Sequence, residues 1–299
     1  MVHPVNGTIF ENHLEFLNRA TDWFRDHGIQ NPRLNAELLL ACSLNLSREG
    51  LYVHLHDPIG EEEKKTLEEM INRRLSGEPL QYILGHQEFW SIDLRVDSRV
   101  LIPRADTEFL VEQALSILSR ISSEKPPTLL EIGTGSGAVA ISLAREVRNV
   151  FLVATDISRE ALRLARQNAK ENAASERIAF IYGDLFGPFR LFEEREPFDM
   201  ILSNPPYIAR SEIGNLAKEV KDFEPIIALD GGEDGFDFHR KIISQCPKYL
   251  RRGGWLVLEV GQGQAGEVSE MLKRTGRFNP IERIQDLSGI ERVVKAQKK

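Results

Sequence analysis

Leu129-Leu130-Glu131-Ile132, followed at once by Gly133-Thr134-Gly135-Ser136-Gly137 and then Ala138, is the stretch on which the fold turns. The first four residues read as a short strand and Ala138 opens a helix, so the glycines occupy a tight strand-to-helix turn. Small residues make such a turn and let the backbone pass close to a ligand. Asp156 closes the next apolar run, 23 residues after Gly133, where a carboxylate can accept hydrogen bonds from ribose hydroxyls. Gly183-Asp184-Leu185 closes the run after that, where an amide or carboxylate can meet an adenine edge. The loop therefore points to a nucleoside-bearing ligand. With Ala138 counted it also fits the G-x-G-x-x-A dinucleotide form, so the kind of nucleoside is decided elsewhere in the chain.

From about residue 105 the pattern alternates between helix and strand. Leu110, Val111, Ala114, Leu115 and Leu118 form one helical stripe. Apolar strands are expected at 128–132, 150–155, 178–182, 198–203 and 254–260, and two more at 280–285 and 290–296. Strands alternating with helices predict an α/β domain with a largely parallel, doubly wound sheet. Upstream the pattern is helical. Leu14, Leu17, Thr21 and Phe24 recur at helical spacing before Gly28, and Asn31-Pro32 reads as a cap before Leu34, Leu38 and Ala41. A further helix spans 61–76, with Leu67, Met70, Ile71 and Leu75 inward and Gly77 as its stop. Trp90, Ile92, Leu94 and Val96 alternate as a half-buried strand, with Tyr82-Ile83-Leu84 as a hairpin partner. The expected organisation is a helical domain over 1–78, a β-hairpin linker over 79–104 and a catalytic domain over 105–299.

Composition narrows the function classes. The chain has 299 residues, 41% hydrophobic and 28% charged, which excludes wholesale disorder and allows about two domains. Lys+Arg number 38 against 45 Asp+Glu, a net charge of −7. That balance argues against a protein that coats nucleic acid by neutralising phosphates. Two distant cysteines, Cys42 and Cys246, make neither a disulfide framework nor a zinc spacing. Cys246 does not follow the fourth strand, so a buried thiol is expected rather than a nucleophile. His54-Leu55-His56 has no third ligand nearby in sequence, and no metal is expected. Glu11 and Glu15 interrupt the first apolar residues, so no signal peptide is expected. No run of 18 apolar residues occurs, so no membrane association is expected, and a reducing cytoplasm suits the free thiols. Lys298-Lys299 reads as a solvated tail.

Phe198 to Ser203 reads as the fourth strand of the domain and ends in Asn204-Pro205-Pro206-Tyr207. In open parallel sheets ligands sit beyond the carboxyl ends of the strands, so this tetrapeptide stands at the reaction end. The prolines fix φ and remove two N–H donors, leaving carbonyl acceptors. Asn204 adds a side-chain oxygen and Tyr207 a flat ring. These groups suit methylation of a planar amide or aromatic amine, whose delocalised lone pair makes it a poor nucleophile. The Asn204 side chain and the Pro205 carbonyl can accept its two N–H groups, aim the nitrogen at a methyl-sulfonium and favour the positively charged transition state. Tyr207 can pack on the substrate's planar face. S-adenosylmethionine, leaving as S-adenosylhomocysteine, is thereby preferred over a dinucleotide.

The sequence resembles the release factor glutamine methyltransferases, class I S-adenosylmethionine-dependent enzymes, over nearly its whole length. Gly77-Glu78-Pro79-Leu80-Gln81-Tyr82-Ile83-Leu84-Gly85 with Glu88-Phe89 is similar to the family's interdomain segment. Leu101-Ile102-Pro103-Arg104-Ala105-Asp106-Thr107-Glu108 is similar to its entry to the catalytic domain. Glu224-Pro225, Ala228-Leu229 and Gly231-Gly232-Glu233-Asp234-Gly235 match a further signature. The resemblance implies a class I methyltransferase sheet with an N-terminal helical bundle. It also implies methyl transfer to the glutamine side-chain amide in the Gly-Gly-Gln motif of peptide chain release factors. Carried over by residue, Gly133, Thr134, Gly135, Ser136 and Gly137 line the cofactor, Asp156 holds its ribose, and Asp184 and Leu185 flank adenine. Asn204, Pro205, Pro206 and Tyr207 bind the glutamine, with Asn204 also near the methionine part. Asn204, Pro205 and Tyr207 are the expected catalytic residues. Two departures are visible: Glu131 where the family often has Asp, and Leu185 where some members carry an aromatic ring.

The implied partner is a release factor, met by a monomer that forms no stable complex with nucleic acid. The helical domain would recognise that factor; it carries 8 Lys+Arg and 13 Asp+Glu over 1–78. The same tetrapeptide chemistry also suits an exocyclic amine in DNA or RNA, with the base flipped out. A ribosomal-protein glutamine is a nearer alternative. Asp230-Gly231-Gly232 and Asp234-Gly235 read as turns near the substrate end, where they can form a lid.

Overall fold

Successive residues of the expected strands bury themselves on opposite sides. Leu129, Leu152, Met200, Leu202 and Val257 join one apolar core, while Leu130, Val153, Ile201, Leu256 and Leu258 join another. Only a sheet covered on both faces produces that division. In the computed structural model, which describes residues 10–121, 125–192 and 197–299, the chain divides into two compact units. One runs up to Gly85 and adds Lys218–Phe223. The other comprises His86–Ala217 and Glu224–Lys299.

The first unit contains α1 (His13–Asp26), α2 (Pro32–Leu44), α3 (Arg48–Leu51), α4 (Glu61–Leu75) and α5 (Leu80–Leu84). Phe16, Leu17, Phe24, Leu39, Leu40, Leu67 and Ile71 make its core. Asn31 does precede Pro32, but with φ 50 it makes no side-chain cap bond. The inward face of α2 is Ala36, Leu39, Leu40 and Ala41, not the expected Leu34 and Leu38, which are half-buried. The polar Asn35 and Glu37 are buried on that same helix, so polarity along 34–41 points away from the face that packs; contact with α1 and α4 chooses it. Glu37 is buried on α2 and accepts hydrogen bonds from Arg33 Nε at 2.9 Å, Arg48 Nε at 2.7 Å and Tyr52 Oη at 2.6 Å.

The second unit opens with a hairpin, β1 (His86–Phe89) and β2 (Ile92–Arg95). This corrects the expected pairing: Tyr82-Ile83-Leu84 belongs to helix α5, and Trp90 is in the turn rather than the strand. Trp90 and Ser91 take φ 51 and 55, the left-handed pair of a tight two-residue hairpin turn. No glycine marks that turn. Instead, Glu108 accepts from Trp90 N and Glu146 accepts from its indole Nε1, both at 2.9 Å. The expected boundaries at 78 and 104 thus differ from the compact units, which divide at Gly85, with 86–104 built into the second. Residues 1–9 of the expected helical domain lie outside the described residues.

The remaining elements are α6 (Glu108–Leu118), β3 (Thr128–Ile132), α7 (Ala138–Glu146), β4 (Phe151–Asp156), α8 (Arg159–Glu171), β5 (Ile178–Tyr182) and β6 (Phe198–Ser203). They continue with α9 (Lys218–Lys221, in the first unit), α10 (Asp237–Gln245), β7 (Leu250–Glu259), α11 (Ala265–Arg274), β8 (Phe278–Gln285) and β9 (Glu291–Lys298). Among the described residues, seven strands form one sheet in the order β5-β4-β3-β6-β7-β9-β8. β3 to β7 run parallel to one another, and β9 and β8 add antiparallel strands at one edge, β9 against β7. This is the expected doubly wound α/β architecture. Lys298 is no solvated tail: its Nζ donates to Pro247 O at 2.7 Å and Leu250 O at 2.8 Å.

Candidate active site

The chain winds from β3 to β4 and β5, then returns to place β6 on the other side of β3. Such a reversal opens a crevice beyond the carboxyl ends of the two strands. Here it holds a cavity of about 280 Å³. Gly133, Thr134, Gly135 and Ser136 line it after β3, Asp156 after β4, Asp184 and Leu185 after β5, and Asn204, Pro205 and Pro206 after β6. Residues distant in sequence thus converge on one space. Gly137 and Tyr207 are not among its lining residues.

Backbone amides hold the glycine loop. Gly133 N and Thr134 N both donate to Thr155 O at 2.9 Å. Asp156 Oδ2 accepts from Gly135 N at 2.9 Å, and its Oδ1 accepts from Ser158 N at 2.8 Å. Burial raises the Asp156 pKa, and these amides pull it back. A Cβ on Gly135 would meet no protein atom within 4 Å, so the space over the loop is open. Gly137 serves helix packing instead. At φ +86, a Cβ there would come 2.9 Å from Ile141 Cδ1 and 3.3 Å from Ala165 Cβ, so its hydrogen lets α7 close on α8. Glu131 lies beneath the loop, 3% exposed, and accepts from Thr134 Oγ1 at 2.7 Å. Burial pushes its pKa up to about 8. It acts as a loop brace from inside the sheet.

A Cβ on Gly133 would stand 3.9 Å from Asn204 O, which measures how near the loop comes to the tetrapeptide. Ser203 Oγ joins the two strand ends by donating to Ile132 O at 2.8 Å. Asn204 Nδ2 donates to Thr107 Oγ1 at 3.1 Å. Tyr207, expected on the substrate's planar face, instead sends its hydroxyl 3.4 Å to Glu259 Oε1, while Gln264 Nε2 donates to its carbonyl at 2.9 Å. Burial raises the Tyr207 pKa above the usual tyrosine value, and nearby Glu259 adds to it. The Asp230–Gly235 turns buttress this corner rather than cover the cavity. Ile208 bridges Asp230, and a Cβ on Gly231 would fall 2.7 Å from Tyr207 Cα.

Several lining or supporting residues fell within quoted signatures, or outside them, without being assigned to the site. Thr107 sits one residue before α6, and Glu259 ends β7 beside β6. An acidic residue closing an apolar strand is the one mark that Glu259 bears. Arg104 lines the cavity and donates to the buried Glu224 at 2.5 Å, a pair 120 residues apart in sequence. Ile227, Phe238 and Lys241 complete one wall. Cys246 is fully buried, which raises its thiol pKa. His54 pairs with Asp57 at 2.7 Å, and no group of three or more His, Cys, Asp or Glu among the described residues is placed to hold a metal ion.

A nucleoside with a charged tail fits this donor set: carboxylates at two strand ends, an apolar Leu185 between walls, and open backbone over the glycines. Comparison with known proteins agrees. A relative from Geobacter sulfurreducens named release factor glutamine methyltransferase is 43% identical over 93% of this chain and 95% of its own length. The chain belongs to the release factor glutamine methyltransferase family. Relatives of the same name from Koribacter versatilis and Rhodopirellula baltica are 41% and 38% identical, over 90% and 95% of this chain and 92% and 96% of theirs. The family's domain models agree: the PrmC N-terminal domain matches residues 15–85 and the methyltransferase small domain matches 111–221. Among solved structures, the hMettl16 catalytic domain superposes with TM-score 0.53 at 15% identity, covering 80% of this chain and 82% of that one. That likeness concerns the fold alone.

Proposed function

We propose that the protein transfers a methyl group from S-adenosylmethionine to the side-chain amide nitrogen of the glutamine in the Gly-Gly-Gln motif of a peptide chain release factor. The observation that carries this reading is the convergence of the glycine loop, Asp156 and Asn204-Pro205-Pro206 on one cavity at the crevice between β3 and β6. When bound, S-adenosylmethionine supplies a methyl carbon made electrophilic by its sulfonium. The open backbone over Gly133 and Gly135, with Ser136 beside it, takes the amino-acid part, Asp156 the ribose hydroxyls, and Asp184 and Leu185 the adenine.

Asn204 Oδ1 and the Pro205 carbonyl accept the two N–H groups of the glutamine amide, which turns its nitrogen toward the methyl carbon. Both acceptors strengthen as positive charge grows on that nitrogen, so they stabilise the transition state more than the bound substrate. The nitrogen gains the methyl as the carbon–sulfur bond breaks, the bonding pair staying with the departing S-adenosylhomocysteine, and it loses one proton. That proton becomes acidic only as the methyl arrives, so water suffices to take it. Pro206 stiffens the turn, and Tyr207 supports it from behind the cavity wall.

The acidic balance of the helical unit suits steering toward a basic face of a release factor, which changes association rate more than affinity. No helix among the described residues is long and apolar enough to cross a membrane. A monomer acting in the cytoplasm, where release factors work, completes the reading. Labelled S-adenosylmethionine and purified release factor test it, wild type against Gln→Ala in the Gly-Gly-Gln motif. The label is expected on the wild-type factor alone, and mass spectrometry should find one added methyl on that glutamine. Equal labelling of both overturns the assignment.

A further inference from the structure

We propose that Arg104 is a substrate-binding residue: anchored at the cavity wall by the buried Glu224, its guanidinium offers its remaining N–H groups to main-chain carbonyls of the peptide segment that carries the target glutamine. The inference rests on the methyl-transfer reading and adds to it a contact with the backbone beside the glutamine.

Local chain path ties Arg104 to the tetrapeptide. Its backbone is extended, φ −99 and ψ 148, immediately before the turn Ala105–Thr107. The Arg104 carbonyl accepts from Thr107 N at 3.0 Å, and Thr107 Oγ1 accepts from Asn204 Nδ2 at 3.1 Å. Past Glu224 the chain gives Pro225, Ile227 and Ala228 to the cavity lining, none with a side-chain hydrogen-bonding group. Directed donors on this part of the wall therefore come from Arg104.

A guanidinium carries five N–H donors in a fixed plane. Nη2 of Arg104 donates to Glu224 Oε1 at 2.5 Å, and the side chain makes no other hydrogen bond among the described residues. Nε and Nη1 are left for a ligand. The Arg104 side chain is 40% exposed and that of Glu224 only 1%. Burying a carboxylate to that extent is no gain in stability over an apolar residue, even when it is paired. What the pair supplies is a guanidinium that cannot swing away, so it loses little further freedom on taking a ligand. The other cations on the cavity differ. Arg99 sends Nε and Nη2 to Asp97 at 2.7 and 2.5 Å, and Lys241 Nζ lies 5.2 Å from the Phe238 ring centroid.

The target motif sets two glycines before the glutamine. Glycine has no side chain to recognise, but its missing Cβ lets the backbone come close. A site that reads such a segment must read its carbonyls, and a planar fork of donors held beside the glutamine pocket suits them.

Steady-state methylation of the release factor tests the contact with two variants. Arg104→Lys keeps a positive charge opposite Glu224 and should melt with wild type, but it replaces the fork with a compact ammonium. KM for the factor should rise about 10-fold, with kcat within about threefold, because a backbone contact is made equally in the bound and transition states. The double variant Arg104→Met, Glu224→Gln removes the guanidinium without stranding a buried charge, and KM should rise about 10- to 100-fold. Cofactor Kd by calorimetry should move less than about threefold in both. A wild-type KM in either variant, or a fall in kcat in place of the rise in KM, overturns the proposal. So does a loss of cofactor affinity in place of factor affinity, which would give Arg104 to the carboxylate of the cofactor. If wild type methylates the factor and the variants match it, the contact falls alone. If wild type binds S-adenosylmethionine and leaves the factor unmethylated, the methyl-transfer reading falls and takes the contact with it.

Discussion

Asn204 and Asp156 line the same cavity, yet they have separable work, and substitution should divide it. On the proposed reading, Asn204→Ala removes an acceptor that matters most in the transition state. Methyl transfer should drop about 100- to 1,000-fold while cofactor Kd changes less than about tenfold. Asp156→Ala removes a carboxylate that ties Gly135 and Ser158 and that, on the proposed reading, meets the ribose, so cofactor affinity should fall about 10- to 100-fold. Calorimetry beside steady-state kinetics separates the two. Glu131 behaves differently, because its pKa is raised in the folded chain. A carboxyl held near 8 and returned to about 4.3 on unfolding contributes stability that is complete below the lower value and is lost as pH rises through the upper one. Denaturant titrations from pH 5 to 9 should show that decline in wild type and a flatter curve in Glu131→Gln.

Elements owe their stability to a few such contacts as well as to apolar packing. Glu37 ties α2 to Arg48 of α3 and to Tyr52, and the sign of its effect is opposite to that of Glu131. Burial acts to raise its pKa, but hydrogen bonds from Tyr52, Arg48 and Arg33 outweigh that and hold it below the usual glutamate value. Its contribution is therefore present above about pH 4.3 and lost as pH falls through the lowered value. Glu37→Gln should cost about 1–3 kcal/mol at pH 7, and the difference from wild type should close on acidification to pH 3. Urea midpoints at the two pH values check it. The hairpin β1–β2 shows how an element escapes sequence rules. Its turn uses Trp90 and Ser91 where glycine or asparagine is usual, and tertiary bonds from Glu108 and Glu146 compensate.

At the scale of the molecule, the chain leaves its α/β unit at 218 and returns at 224, lending α9 to the helical unit. There the buried Arg74 pairs with Glu219 at 3.0 Å while also donating to Asn35 and to the Glu78 carbonyl. Replacing 218–223 with a Gly-Ser linker should destabilise the helical unit by about 1 kcal/mol, since the half-exposed Glu219 limits the loss. Thermal melts against wild type, with Arg74→Met as the matched control, check that expectation.

Residue order alone was enough for the alternation of strands and helices, the glycine loop, the acidic residues at the ends of β4 and β5, and the tetrapeptide after β6. Each is a local pattern, since side-chain period, turn chemistry and chain direction depend on neighbours a few residues away. Strand positions 128–132, 178–182 and 198–203 were legible for that reason. Packing settled which face of α2 is buried, that Tyr82–Leu84 is helical, and that the Tyr207 hydroxyl reaches Glu259. It alone brought Thr107 to Asn204, Tyr207 to Glu259 and Arg104 to Glu224. Those pairs lie 97, 52 and 120 residues apart along the chain, and no local preference distinguishes a threonine or glutamate that will meet such a partner. Burial, which raises the carboxyl pKa of Glu131 and Glu259, exists only once the whole sheet has closed over them.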